Sequence, residues 1–290
     1  MFFLILIYFF LPKDNLVDSD KYVSDIKTVQ SKIENNFSLN SFNETKILNK
    51  KEKEIKEKEL FEYLEVIDSC NQYFVGECIN VRNGPGVNYD VITRLRNGVV
   101  LKAKEKLKFN EEEWYQISFE DEWLRYPERV EGDLYISAKY VKSFLNEGKQ
   151  ELKDETQEYN YLISTTSKMI IVDRSDQKLY AYEKGELFMK ESVSTGLDVT
   201  PTPRGIFHVY KKTPSRYMQG PIEGISEKEY DLPGVPWNLY FTKEGAVIHG
   251  AYWHDNFGKQ WSNGCVNLPI DKAKELYMWA DIGTEIIVRD

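Results

Sequence analysis

The residues in this chain best suited to do chemistry lie near its C-terminal end. Ile248-His249-Gly250-Ala251-Tyr252-Trp253-His254 is followed after six residues by Trp261-Ser262-Asn263-Gly264-Cys265-Val266-Asn267. A thiol attacks as the thiolate, and a free cysteine is only a few per cent ionised at neutral pH, so it needs a base beside it. His249 supplies an imidazole able to take that proton. Gly264, immediately before Cys265, lets the backbone turn tightly and present N–H groups to a developing oxyanion. Gly250 allows an equally close approach after His249. On these grounds Cys265 and His249 form an acyl-transfer pair, with Gly264, Gly250, Ser262 and Asn263 in supporting positions. Isolated Cys and His residues are more often packed than reactive.

Other uses of the same side chains fit less well. A closed zinc site on His249, His254 and Cys265 lacks a fourth ligand. A papain-like arrangement has its cysteine upstream of its histidine, the reverse of the order here. Tyr252, Trp253 and Trp261 offer an aromatic wall to a substrate, or else pack beneath the site loop. His254 reads as a surface-loop histidine. Thr213 to Pro236, rich in Gly and Pro, reads as a loop or lid between two strands.

The elements that must position these groups are mostly strands. Met169–Val172, Lys178–Glu183, Leu187–Ser194, Gly205–Tyr210, Trp237–Phe241, Ala246–His249 and Glu285–Val288 have strand character, with Lys184-Gly185 as a turn. A single helix is expected over Ile270 to Ala280, opened by Pro269 and closed before Gly283. Its Ala273, Leu276, Tyr277 and Ala280 share one face and pack into the core. Residues 167–290 are therefore expected to form a β-sandwich-like sheet assembly with one or two short helices.

With those residues in view, the segment resembles the active-site signature of the L,D-transpeptidase catalytic domain, the YkuD-like family. That signature has a His-Gly pair, a variable stretch, then Ser/Thr-His-Gly-Cys, a hydrophobic residue and Arg/Asn. Gln177-Lys178-Leu179, Val193-Ser194-Thr195-Gly196, Thr202-Pro203-Arg204-Gly205 and Ile282-Gly283-Thr284-Glu285-Ile286 extend the resemblance over some 120 residues. The resemblance implies Cys265 as nucleophile, His249 as general base and the Gly250 carbonyl as its orienting partner. It also implies Asn267 at the family's terminal polar position, and Asn267, Trp253 and Tyr252 are the residues expected to bind substrate. One departure is clear: Asn263 stands where the family usually has His, and His254 is then a candidate substitute.

The activity so implied is peptidoglycan cross-linking. Stem peptides act as donor and acceptor through a Cys265 thioester, with no metal or organic cofactor and with carbapenems as inhibitors. Water as acceptor would make the chain an L,D-carboxypeptidase. Loss of activity through Asn263 would leave a cell-wall-binding protein.

The remainder of the 290-residue chain sets the context. Lys and Arg total 38 against 47 Asp and Glu, and this net acidity argues against nucleic acid as a partner. Residues 67–146 show short β-rich runs, including an Asn97-Gly98 hairpin signal between Val91–Arg96 and Val99–Lys104. Ile79-Asn80-Val81-Arg82-Asn83-Gly84-Pro85, Tyr89 and a late Tyr135-Ile136 strand resemble a bacterial SH3-type domain. That resemblance implies a small barrel that binds wall peptides, and a spacer without a ligand is the other reading. Cys70 and Cys78 either pair or remain buried thiols. Residues 13–66, with the run Lys50 to Glu59, read as a charged helical spacer. Met1 to Leu11, within residues 1–12, is too short for a full span of about 20 residues and reads as an export signal or membrane anchor. The expected architecture is mainly β: helical spacer, SH3-like barrel, then catalytic sandwich, placed outside the cytoplasm in the bacterial envelope.

Overall fold

The computed structural model describes residues 59–67, 79–119, 124, 126–152, 167–220 and 229–290. The N-terminal apolar run, most of the charged spacer, and Cys70 and Cys78 lie outside the described residues. Glu59 to Asp290 form one compact unit.

Its first part is a seven-stranded antiparallel sheet. The strands are β1 (Phe61–Val66), β2 (Ile79–Arg82), β3 (Val91–Leu95), β4 (Val100–Phe109), β5 (Glu112–Ser118), β6 (Leu134–Ser137) and β7 (Val141–Asn146). They are ordered β3-β2-β6-β5-β4-β1-β7. These strands form a single sheet in which β3 and β7 are the two ends. Its first strand falls inside the stretch read as spacer. The Asn97-Gly98 hairpin does not form: β3 pairs with β2, whereas β4 pairs with β1 and β5. Gly98 still turns the chain, at φ +82°. Its N–H donates to the Val66 carbonyl at 2.8 Å, so β1 captures the turn. A two-residue hairpin turn of this sheet forms at Asn110 and Glu111, both at positive φ (48° and 65°), between β4 and β5.

The second part is two five-stranded sheets. β8 (Gln150–Glu151), β9 (Lys168–Asp173), β10 (Lys178–Glu183), β11 (Glu186–Ser192), β12 (Gly205–His208), β13 (Lys211–Gln219), β14 (Asp231–Tyr240), β15 (Val247–Gly250) and β16 (Val266–Leu268) precede helix α1 (Ile270–Trp279) and β17 (Glu285–Arg289). One sheet runs β11-β10-β9-β17-β12 and the other β16-β15-β14-β13-β8. Alternating inward residues of the first, among them Ile170, Val172, Leu179 and Ile286, meet Trp237, Leu239 and Ile248 of the second in one core. The Lys184-Gly185 turn has both residues at positive φ (52° and 83°), which matches the twist of the strands it joins. Helix α1 buries Ala273, Leu276 and Tyr277 on that core, and Pro269 stands at its N-cap. The buried Lys212 Nζ donates to the Ala280 carbonyl at 2.5 Å, placing a cation at the helix C-terminus.

One correction concerns the hairpin of β13 and β14. The segment Thr213 to Pro236, expected as a loop, contributes paired strand residues from both ends, with Thr213 opposite Asn238 and Gln219 opposite Asp231. The hairpin is clamped from outside by the first sheet. Ser215 Oγ donates to the Val100 carbonyl at 2.5 Å, Tyr126 N–H donates to Gln219 Oε1 at 3.0 Å, and Arg129 pairs with Asp231 at 3.1 Å. Gly234 permits this approach. Its φ is +62°, and a Cβ there would lie 2.5 Å from both the Val100 carbonyl oxygen and Val99 Cγ1. Gly234→Ala is therefore expected to destabilise the chain by about 2–4 kcal/mol through backbone strain and overpacking. Urea unfolding followed by tryptophan fluorescence reads the shift, and an unchanged midpoint would refute the clamp.

Candidate active site

Strands β15 and β16 run parallel and adjacent, with Ile248, His249 and Gly250 opposite Val266, Asn267 and Leu268. Side chains alternate between the two faces of a strand, so His249 and Asn267 share a face. Cys265, two residues before Asn267, belongs to that same face. All three line one cavity of about 800 Å³ with Ser262, Asn263, Gly264 and Trp253.

His249 is 1% exposed. Its Nδ1 lies 3.1 Å from the Gly250 carbonyl, which can only accept, so Nδ1 carries the hydrogen. Nε2 is then the lone-pair nitrogen, and it has no hydrogen-bond partner among the described residues. Burial pushes the imidazole pKa down to about 3 against the opposing pull of the Gly250 carbonyl, with Arg216 adding to the fall. The half-buried Cys265 thiol is pushed the other way by desolvation, moderated by Arg216 and the Val247 N–H. Thiol and imidazole thus both rest neutral. The thiol faces the Gly245 carbonyl at 3.9 Å.

The backbone at the cysteine is fixed from two sides. Ser262 Oγ donates to the Cys265 carbonyl at 2.5 Å and accepts from Gly264 N–H at 3.2 Å. Thr202 Oγ1 accepts from Gly196 N–H at 2.9 Å and donates to the same Cys265 carbonyl at 3.3 Å. Gly264 sits at φ +109°, a conformation open to glycine. Upstream, the Gln177 side chain accepts from Thr195 N–H at 2.9 Å and donates to its hydroxyl at 2.7 Å. The Thr195 carbonyl in turn accepts from Trp261 and Ser262 N–H. Two hydroxyls, from Thr202 and Ser262, therefore converge on the Cys265 carbonyl, and the Gln177–Thr195 pair holds the backbone that carries Ser262.

The structure separates the remaining candidates. Trp253 lies on the cavity wall, 5.6 Å from the His249 ring, and Asn263 is exposed at the rim. Tyr252 is not among the lining residues. It is buried, its hydroxyl donates to the Pro233 carbonyl at 2.7 Å, and it packs with the core of the first sheet. His254, expected on a surface loop, is buried at 6% exposure and lies 2.8 Å from the Asn267 amide. Its pKa falls to about 4, chiefly by desolvation, with Asp255 opposing. Arg216, Glu244, Leu197 and Val199 also line the cavity and were not singled out in the sequence. Arg216 lies on β13, inside the stretch expected to be a loop, so no strand pattern pointed its side chain inward.

A thiol, an imidazole with a free lone pair and a rigidly held turn in one cavity define a site able to carry out acyl transfer. Comparisons with known proteins give the family. Residues 167–288 match the L,D-transpeptidase catalytic domain, YkuD. The Bacillus subtilis (strain 168) protein named "Putative L,D-transpeptidase YqjB" is 30% identical over 127 residues, which cover 42% of this chain and 70% of that protein. Among solved structures, a mutant Enterococcus faecium L,D-transpeptidase is 26% identical with a TM-score of 0.39, over 42% of this chain and 50% of its own. An L,D-transpeptidase from Mycobacterium smegmatis is 20% identical with a TM-score of 0.41, over 61% and 90%. This chain thus spans half the length of the E. faecium structure. It belongs to the L,D-transpeptidase catalytic-domain family.

The two depressed histidines give a pH dependence. Unfolded, each titrates near about 6.5; folded, His249 and His254 titrate at about 3 and about 4. The unfolded chain therefore binds more protons below about pH 6.5, and stability falls as pH drops from there toward 3. Denaturation midpoints measured from pH 7.5 to 4 are expected to fall less steeply in His249→Gln than in the parent chain. Equal slopes would show that His249 is not buried in its neutral form.

Proposed function

We propose that this chain is a peptidoglycan L,D-transpeptidase that works through a Cys265 thioester. The observation that carries the reading is the His249 tautomer. Nδ1–H is committed to the Gly250 carbonyl, so the Nε2 lone pair is available in the cavity that holds Cys265.

The steps balance as an acyl exchange. Nε2 takes the thiol hydrogen while Sγ attacks the carbonyl of the third residue of a tetrapeptide stem. The tetrahedral intermediate collapses and expels the terminal D-Ala, whose amine takes the proton back from the imidazolium. A side-chain amine of a neighbouring stem then attacks the thioester and loses its proton to Nε2. A peptide bond between two third residues forms and the Cys265 thiol is released. Because the resting pair is neutral, proton transfer accompanies attack, as general-base catalysis requires. Ser262 and Thr202 hold the Cys265 carbonyl and so fix the backbone that presents Sγ. Trp253 forms the apolar wall beside the base.

Placement in the bacterial envelope belongs to the same proposal. It is supported by the Met1 to Leu11 apolar run and by a substrate that lies outside the cytoplasm. The likeness of residues 67–146 to bacterial SH3-type domains supports a wall peptide as a second ligand.

Incubation of the full chain with a disaccharide-tetrapeptide, read by mass spectrometry, tests the activity. A dimer lighter by one D-Ala, absent with Cys265→Ala and reduced at least about a hundredfold with His249→Gln, is expected. A tripeptide alone would assign the acceptor to water. A dimer formed equally by Cys265→Ala would overturn the thiol mechanism.

A further inference from the structure

His254 is not used in the mechanism above, yet it is buried beside a residue that lines the cavity. Phe257, Trp253 and Trp261 surround its ring at 5.1, 5.9 and 6.3 Å. Its Nδ1 accepts from the Asn256 backbone N–H at 3.1 Å. Its Nε2 faces the Asn267 amide at 2.8 Å. As placed, the atom facing Nε2 is the amide nitrogen, Nδ2, and the amide oxygen is buried without a partner among the described residues.

That placement cannot hold for a neutral imidazole, which has one donor nitrogen and one acceptor nitrogen. With Nδ1 accepting, the hydrogen is on Nε2, and two donors would then face each other. Turning the Asn267 amide over removes the conflict, because Nε2–H then donates to Oδ1. The same turn moves the NH2 group into the position of the former oxygen, on a side chain that lines the cavity. The site has use for a donor there. Gly264 N–H, at the turn expected to present backbone donors to an oxyanion, is directed to Ser262 Oγ at 3.2 Å.

We propose that His254 is a positioning residue. Held at Nδ1 by the Asn256 backbone, it fixes the Asn267 amide so that its NH2 donates to a carbonyl oxygen of the bound acyl donor. The loop carrying His254 is itself tied to the sheet. Ser194 Oγ donates to the Asn256 carbonyl at 2.7 Å, and Gly258 N–H donates to the Val193 carbonyl at 2.8 Å. Asn267 is held at its backbone by reciprocal hydrogen bonds with Ser194, at 2.9 and 3.0 Å. Amide orientation is thus the one degree of freedom left, and His254 removes it. The orientation of the amide follows from the hydrogen bonds alone, whereas its role in catalysis rests on the function proposed above.

Two measurements on the full chain separate those parts. Long-range 1H–15N spectra of histidine-labelled protein, assigned by the signal lost in His254→Gln, are expected to show His254 protonated at Nε2 and bare at Nδ1. The opposite tautomer would overturn the proposal whether or not the chain is an active enzyme. The second measurement is the rate of Cys265 acylation by meropenem. His254→Phe keeps a ring but no donor, and it is expected to slow acylation about ten- to hundredfold, the scale of a hydrogen bond to a charged group. His254→Gln, whose amide can donate to Asn267, is expected to recover most of that loss. Near-UV circular dichroism establishes that both variants are folded. Equal rates for the Phe and Gln variants would overturn the positioning role. A parent chain that meropenem does not label would overturn the thiol-acylation reading and with it the catalytic role of the amide, while the tautomer would still decide the orientation.

Discussion

The site depends on the register between two short parallel strands. Ile248, His249 and Gly250 lie opposite Val266, Asn267 and Leu268. Because side chains alternate with a period of two, a slip of one residue would send His249 and Asn267 to opposite faces. Three residues of ladder are little to secure a register, and the surroundings supply the rest. Ala251 N–H donates to the Leu268 carbonyl, and the Ser194 backbone bridges to Asn267 from the other side. Val266 and Leu268 are fully buried, so a slipped strand would have to expose them.

Close packing around Gly250 reinforces that constraint. A Cβ at this position would stand 3.0 Å from Pro236 Cγ and 3.3 Å from both Ala273 Cβ and Ile270 Cα. The strand carrying His249 is therefore wedged between α1 and the β13–β14 hairpin. The hairpin, in turn, rests on the first sheet through Val100, whose carbonyl accepts from Ser215 and lies against Gly234. Lys274 on α1 also pairs with Glu65 on β1. The seven-stranded sheet accordingly braces a wall of the cavity, a role that does not depend on any ligand of its own.

Much of this was legible in the sequence because the informative residues act locally. Lys184-Gly185 makes its turn since both positions need positive φ, and α1 is bounded by Pro269 and carries a buried face at helical spacing. Cys265, His249 and the glycines were recognisable through their order and spacing. The misreadings share a cause, which is tertiary contact overriding local preference. Asn97-Gly98 turns as expected, but its flanking strands find other partners. Tyr252 points to the first sheet and not to the cavity, because Pro233 offers its hydroxyl an acceptor. His254 follows Trp253 directly but is itself followed by Asp255 and Asn256, and only the fold closes Phe257 and Trp261 over its ring and buries it.

Burial shapes the chemistry of the pair as well as its geometry. Desolvation penalises whichever form is charged, so it lowers the pKa of an imidazole and raises that of a thiol. Both shifts oppose a resting thiolate–imidazolium pair in this cavity. The Arg216 charge favours the thiolate yet disfavours the imidazolium, so it does not stabilise the ion pair as a whole. In the proposed acyl transfer the nucleophile is therefore generated only as it is consumed, when an electrophilic carbonyl receives the sulfur electrons and Nε2 receives the hydrogen. Within that proposal the Gly250 carbonyl, 3.1 Å from Nδ1, stabilises the imidazolium that forms as Nε2 takes the proton. A single main-chain oxygen thus sets the tautomer at rest and, in the proposed reaction, offsets part of the charge that develops during attack.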